Sequence, residues 1–164
     1  MSRHVIDSLG EIVWALNPKN DTLDNLLAYT RQYVAEFFEI TPVRCVLEFP
    51  DAVQPIPLSA EFRRNIFLTV KEAVHNVVRH ANAAEVCVTC SMAGITLSVS
   101  VKDNGNGFSS AETGELGNGL ANMRKRIEDI GGRIAILSAP GSGTSVSFQV
   151  DLPRETPDAH RGTP

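Results

Sequence analysis

Between Phe67 and Ala81 the chain reads Phe-Leu-Thr-Val-Lys-Glu-Ala-Val-His-Asn-Val-Val-Arg-His-Ala, a stretch that predicts one helix. Phe67, Val70, Val74, Val77 and Val78 recur near the helical period and form its apolar side. Glu72, Asn76, Arg79 and His80 fall at i, i+4, i+7 and i+8, which stacks them along one stripe. A carboxylate, an amide oxygen and two basic groups are what a hydrated divalent cation and a chain of phosphates require. A solvated face of an amphipathic helix has the same pattern, so the stripe needs support from elsewhere.

Three glycine-rich boxes follow at domain-scale spacing. They are Asp103-Asn-Gly105-Asn-Gly107, Gly117-Asn-Gly119-Leu120 and Gly141-Ser-Gly143-Thr144. Each alone reads as an ordinary turn. Asp103 closes an apolar strand, and its ionised carboxylate can only accept hydrogen bonds. Gly105 and Gly107 allow close backbone approach there. Gly117-Asn-Gly119-Leu120 directly precedes a predicted helix, whose free N–H groups would suit a phosphate.

The rest of the chain frames these boxes. Residues 2–16 carry an apolar stripe of Val5, Ile6, Leu9, Ile12, Val13 and Leu16, ended by Asn17-Pro18. A second helix is predicted from Asp21-Thr-Leu-Asp24 to about Glu39, with Leu23, Leu26, Leu27, Tyr33, Val34 and Phe37 on its apolar side. Residues 42–49 read as a strand, and Ser59 as the cap of the long helix. Residues 86–91 and 95–101 read as a hairpin, 108–116 as a polar loop, and 118–130 as a helix ended by Gly131-Gly132. Residues 133–138 and 145–152 read as a last strand pair. The proline-rich stretch 153–164 reads as disordered. Strands grouped in pairs favour an α/β two-layer sandwich: a mixed sheet of about five strands, three helices on one face, and an additional N-terminal helix.

At 164 residues and a net charge of −4, the chain suits one domain with a small appendage and gives no basic surface for nucleic acid. No apolar run of about 18 residues is present, and the N-terminus has no apolar signal core. Cys87 and Cys90 match C-x-x-C. In a strand they point to opposite faces and cannot easily chelate or bridge. A reduced, cytoplasmic setting is therefore expected.

Other nucleotide folds fail on context. No G-x-x-x-x-G-K-[ST] occurs. The third glycine of a G-x-G-x-x-G is replaced by Ser110 after Gly105-Asn-Gly107 and by Asn122 after Gly117-Asn-Gly119.

In their joint order and spacing the helix stripe and the boxes resemble the ATP-binding (Bergerat-type, GHKL) domain of sensor histidine kinases, Hsp90 chaperones, type II topoisomerases and MutL repair proteins. The resemblance covers about residues 5–152. The short loop at 108–117 and the Glu72, Asn76, Arg79, His80, Ala81 pattern resemble the histidine kinases that pair with helix-turn-helix response regulators. It implies ATP and Mg²⁺ as ligands, Asn76 as the metal ligand and Glu72 as the catalytic acidic residue. It further implies that Arg79 and His80 face phosphates and that Asp103 accepts from the adenine amino group. Gly105, Gly107, Gly117, Gly119, Leu120, Gly141, Gly143 and Thr144 complete the nucleotide set, with 108–117 as the lid.

The same resemblance assigns 1–20 to the end of a dimerisation helix and its linker, 21–152 to the catalytic module and 153–164 to a tail. Trp14 is read as packing at the junction. A phospho-accepting motif like R-D-x-H-D is absent, and His4 lacks its acidic neighbour. The expectation is a catalytic portion that binds ATP·Mg²⁺ without phosphorylating itself. Its partners would be a histidine-bearing dimerisation domain and a response regulator, in a parent whose membrane anchoring the sequence leaves open. Weak homodimerisation through residues 5–16 is the most that this stripe would support. The alternative is a stand-alone protein serine kinase of the anti-sigma-factor type.

Overall fold

The computed structural model describes residues 10, 13, 14, 17, 19, 21–109 and 114–154. Most of the expected 2–16 helix, residues 110–113 of the expected lid and the expected tail beyond 154 lie outside the described residues.

Helix α1 spans Leu23–Glu39 and buries Leu23, Leu26, Leu27, Thr30, Val34 and Phe38. Phe38, not the expected Phe37, enters the core. Tyr33 and Phe37 instead form a half-buried seam with His75, whose ring stacks on Phe37 at 4.5 Å and whose Nε2 lies 2.8 Å from the Tyr33 hydroxyl. Trp14 stacks on Tyr29 with ring centroids 4.2 Å apart and lies 6.0 Å from Phe67.

Strand β1 (Arg44–Glu48) is followed by helix α2 (Ala60–Asn76). The Ser59 hydroxyl caps α2 by accepting from the Phe62 N–H at 3.1 Å. The predicted single helix does not continue unchanged to Ala81. Val77–Ala81 widens into a π-helical segment, closed by Asn82 in the left-handed region at φ +46°.

Strands β2 (Glu85–Ala93) and β3 (Thr96–Asp103) form the expected hairpin. Helix α3 runs Gly114–Asp129, and β4 (Arg133–Ser138) and β5 (Thr144–Asp151) close the chain. The sheet order is β1-β2-β3-β5-β4, with β1 parallel to β2 and the other pairs antiparallel. The sheet is thus mixed, with five strands and three helices. It contains one parallel β1–α2–β2 unit among its hairpins.

One face of the sheet buries Val86, Val88, Cys90, Leu97, Val99, Val101, Val146, Phe148 and Val150 against the helices. The alternate positions carry Thr89, Ser91, Ser98, Ser100 and Ser147, half-exposed or exposed. Cys87 and Cys90 obey the same alternation. Burial pushes the Cys90 thiol up to about 12, so it is inert at neutral pH. Helix α3 is tied to α2 by the Asn65 side-chain amide, which donates to the Arg126 carbonyl at 2.9 Å.

Candidate functional site

A cleft of about 460 Å³, continuous with solvent, opens between α2, the sheet and the start of α3. Its walls are Ala73, Val77, Ala81, Val101, Phe108, Leu120 and Val146, and its polar groups come from Asn76, His80, Asp103 and Thr144. Four segments far apart in sequence therefore meet at one place.

Asp103 ends β3 with 7% of its surface exposed. Its Oδ1 accepts from the Gly105 N–H at 2.8 Å and from the Thr144 N–H at 3.3 Å. Burial pushes the carboxyl above the usual aspartate range, and the two N–H donors pull it partly back. Oδ1 is thus tied to backbone, and Oδ2 is left as the acceptor for a ligand.

The loop after Asp103 and the β4–β5 turn are stitched together. The Gly141 N–H donates to the Asn106 carbonyl at 2.6 Å, and the Asn106 N–H to the Ala81 carbonyl at 2.6 Å. Gly143 adopts φ +72°, and a Cβ there would stand 2.1 Å from the Asp103 carbonyl oxygen. This position needs glycine on both counts. Gly107 lines the cleft, and Gly141 forms the turn facing open space. Gly105 does not line the cleft. A Cβ on it would meet the Ala81 carbonyl at 2.1 Å, so its glycine lets the loop pack on the π-helical segment.

The helix stripe is only partly brought to the cleft. Asn76 and His80 line it, whereas Arg79 is exposed and does not. The stripe presumes an α-helix, and the wider π turn changes which residues return to Asn76's side. Glu72 sits one turn before Asn76 and faces Gly119, where a Cβ would stand 2.3 Å from Oε1. It therefore borders the cleft's α3 side without lining the apolar part.

Helix α3 also begins earlier than expected, at Gly114 rather than residue 118. Gly117 and Gly119 consequently lie inside the helix and not before it. The free N–H groups of the helix start are those of residues 114–116. Leu120 does reach the cleft. Sequence reasoning missed Ser138, whose hydroxyl contacts Phe108, Gly143 and Thr144 together. At a strand end a serine looks like turn filler, and only the register of β4 with β5 reveals it.

An apolar slot with a fixed carboxylate acceptor at its floor suits a flat ring bearing an amino group. A hydroxyl-, amide- and imidazole-bearing rim suits polar groups attached to that ring.

The chain matches the family model described as histidine kinase-, DNA gyrase B-, and HSP90-like ATPase over residues 63–154. It is 31% identical over 125 residues to the sensor protein VraS of Staphylococcus aureus, covering 76% of this chain and 35% of that protein. The chain thus spans about a third of the length of that curated relative. Among solved structures, the histidine kinase domain of the Erythrobacter litoralis blue-light activated histidine kinase superposes with a TM-score of 0.65 at 23% identity, covering 77% of this chain and 61% of that one. The Acinetobacter baumannii histidine kinase AdeS superposes with a TM-score of 0.62 at 15% identity, covering 92% and 78%. At these identities the two structures establish the fold.

Proposed function

The chain belongs to the histidine kinase-, DNA gyrase B-, and HSP90-like ATPase family, and from that premise we propose that it is the ATP-binding catalytic domain of a bacterial two-component sensor histidine kinase. It holds ATP·Mg²⁺ and presents the γ-phosphate to a histidine on a dimerisation domain, for relay to a response regulator. Residues 21–152 are the catalytic module, and residues 1–20 are the end of a dimerisation helix and its linker. The observation that carries the reading is Asp103: a buried carboxylate with one oxygen tied to backbone and the other free, at the floor of an apolar cleft shared with Asn76 and Thr144.

The residues have distinct roles in this reading. Asp103 accepts from the adenine amino group, and the apolar walls sandwich the ring. Asn76 would offer an amide oxygen to Mg²⁺, with phosphate and water as its other ligands. Among the described residues no group of three or more His, Cys, Asp or Glu could hold a metal by itself. A single protein oxygen fits Mg²⁺, which keeps several waters and takes its other oxygens from phosphates. The bound ion would neutralise developing charge on the phosphates. Glu72 orients water beside Asn76 and acts as a general base toward the incoming histidine. His80 faces the phosphates. Gly119, by lacking a side chain, leaves room for the Glu72 carboxylate.

Calorimetric titration of ADP and a non-hydrolysable ATP analogue, with and without Mg²⁺, tests the reading on wild type and Asp103→Ala. Micromolar binding by wild type, weakened about 10–100-fold in the variant, is expected for loss of a hydrogen bond to a charged group. Equal affinity of the two proteins would sink the assignment of Asp103. Incubation with labelled ATP should leave the chain itself unlabelled. Stable, acid-labile label would place the acceptor histidine within it and overturn the reading as a donor to another domain.

A further inference from the structure

We infer that Ser138 is a positioning residue that fixes the direction of the Thr144 hydroxyl, and thereby helps the cleft prefer a base with an amino group over one with a carbonyl. The inference rests on the nucleotide reading above and extends it to specificity. Thr144 lines the cleft and Ser138 does not, so any effect of Ser138 on a ligand passes through a neighbour.

Ser138 is the last residue of β4 and sits in register with Thr144, the first of β5. Its Oγ meets three groups. It accepts from the Phe108 N–H at 2.8 Å, lies 2.8 Å from the Thr144 Oγ1, and donates to the Gly143 carbonyl at 3.2 Å. A serine hydroxyl has one proton to give and two lone pairs to receive with. The Phe108 N–H can only donate, and the Gly143 carbonyl can only accept. One assignment satisfies all three: Ser138 donates to Gly143 and accepts from both Phe108 and Thr144. The Thr144 proton is then committed to Ser138, and its oxygen offers the cleft lone pairs alone.

Asp103 reaches the same polarity by another route. Its Oδ1 is occupied by the N–H groups of Gly105 and Thr144, which leaves Oδ2 as an acceptor. Two acceptors in one cleft complement an amino group, which has two hydrogens to give. They oppose a carbonyl placed at the same position. Without Ser138 the Thr144 proton is free to turn into the cleft and meet that carbonyl.

Calorimetric affinities for ADP and for inosine diphosphate, which carries a carbonyl in place of the amino group, provide the test. They are compared in wild type, Ser138→Ala, Ser138→Thr, Thr144→Val and the Ser138→Ala/Thr144→Val double variant. The preference for ADP is expected to shrink about tenfold in Ser138→Ala, the scale of one hydrogen bond. It should persist in Ser138→Thr, and Ser138→Ala should change it no further once Thr144 is Val. Should Ser138→Ala not fold, Ser138→Cys keeps the volume with a much weaker donor and acceptor and gives the same comparison. Parallel weakening of both nucleotides, or an undiminished effect of Ser138→Ala in the Thr144→Val background, overturns the inference. A wild-type chain that binds neither nucleotide overturns the nucleotide reading itself.

Discussion

The two ends of the cleft are built differently. At the Asp103 end, the acceptor, the loop to Phe108 and the β4–β5 turn are joined by backbone and hydroxyl hydrogen bonds at 2.6–3.3 Å. Gly105, Gly107 and Gly143 are fixed there by close backbone contact. At the Asn76 end, the chemistry hangs on side chains of one helix and its widened last turn, where His80 and Arg79 are exposed. The first end is preorganised. The second, in the proposed reading the phosphate end, relies on exposed side chains. A base-recognition site gains from rigidity, because each donor and acceptor is set before the ligand arrives. A phosphate site that must also release its product works with groups that can move.

Five substitutions would break or sharpen this contrast. The largest effect is expected from Glu72→Gln in a longer chain that carries the acceptor histidine. Phosphotransfer should fall about 10²–10⁴-fold, the scale of general base catalysis, with ADP affinity unchanged. Parallel loss of binding would mean that Glu72 chiefly supports the packing of α3 through Gly119.

Next is Gly143→Ala at the preorganised end. It combines a positive φ with a Cβ 2.1 Å from the Asp103 carbonyl, so about 2–3 kcal/mol of stability should be lost in denaturant unfolding. A change below about 0.5 kcal/mol, typical of unconstrained surface sites, would show that the turn yields easily and is not rigid.

Asp103→Asn keeps an oxygen acceptor for both N–H groups and removes the charge. Burial raises the Asp103 pKa, so the folded state holds that proton more tightly than the unfolded chain does. Its contribution to stability is full below about pH 4, the ordinary aspartate value, and declines as pH rises through the raised one. The variant should therefore gain on wild type in melting temperature as pH rises, while ADP affinity drops about tenfold. Melting curves that run parallel across that window would assign the burial cost to another group.

The smallest difference is expected between His80→Ala and Arg79→Ala. His80 lines the cleft and Arg79 does not, so the first should weaken the ATP analogue a few-fold more than the second, an exposed charge contributing about 0.2–1 kcal/mol. The reverse order would mean that ligand binding rewinds the π-helical segment into the regular helix that its sequence suggests.

Much of this architecture is legible in the chain. The alternation in residues 85–103 fixes both strands of the hairpin, Ser59 announces its helix, and the spacing of the boxes brings Asp103 and Thr144 together. What the sequence hides is long-range. Nothing in Val77–Ala81 signals a widened turn, whose Ala81 carbonyl takes the N–H of Asn106 from another element. Three glycines between 114 and 119 argue against a helix, yet contact with Glu72 favours one there. His75 carries no local signal, because Tyr33 lies 42 residues away, and Ser138 finds one of its partners, Phe108, 30 residues away.

The parallel pairing of β1 with β2 has a kinetic consequence. Arg44 meets Glu85 across a connection that contains the whole of α2, whereas Ala93 meets Thr96 across two residues. A tight hairpin closes in about 1–10 μs, but a parallel pair must first close a long loop. The hairpin strand that ends in Asp103 is therefore expected to pair before the β1–β2 ladder closes. A nucleotide gripped at both ends finds its binding partner only in the finished molecule. It prolongs the lifetime of the native state by slowing escape from it, and leaves the speed of arrival almost untouched.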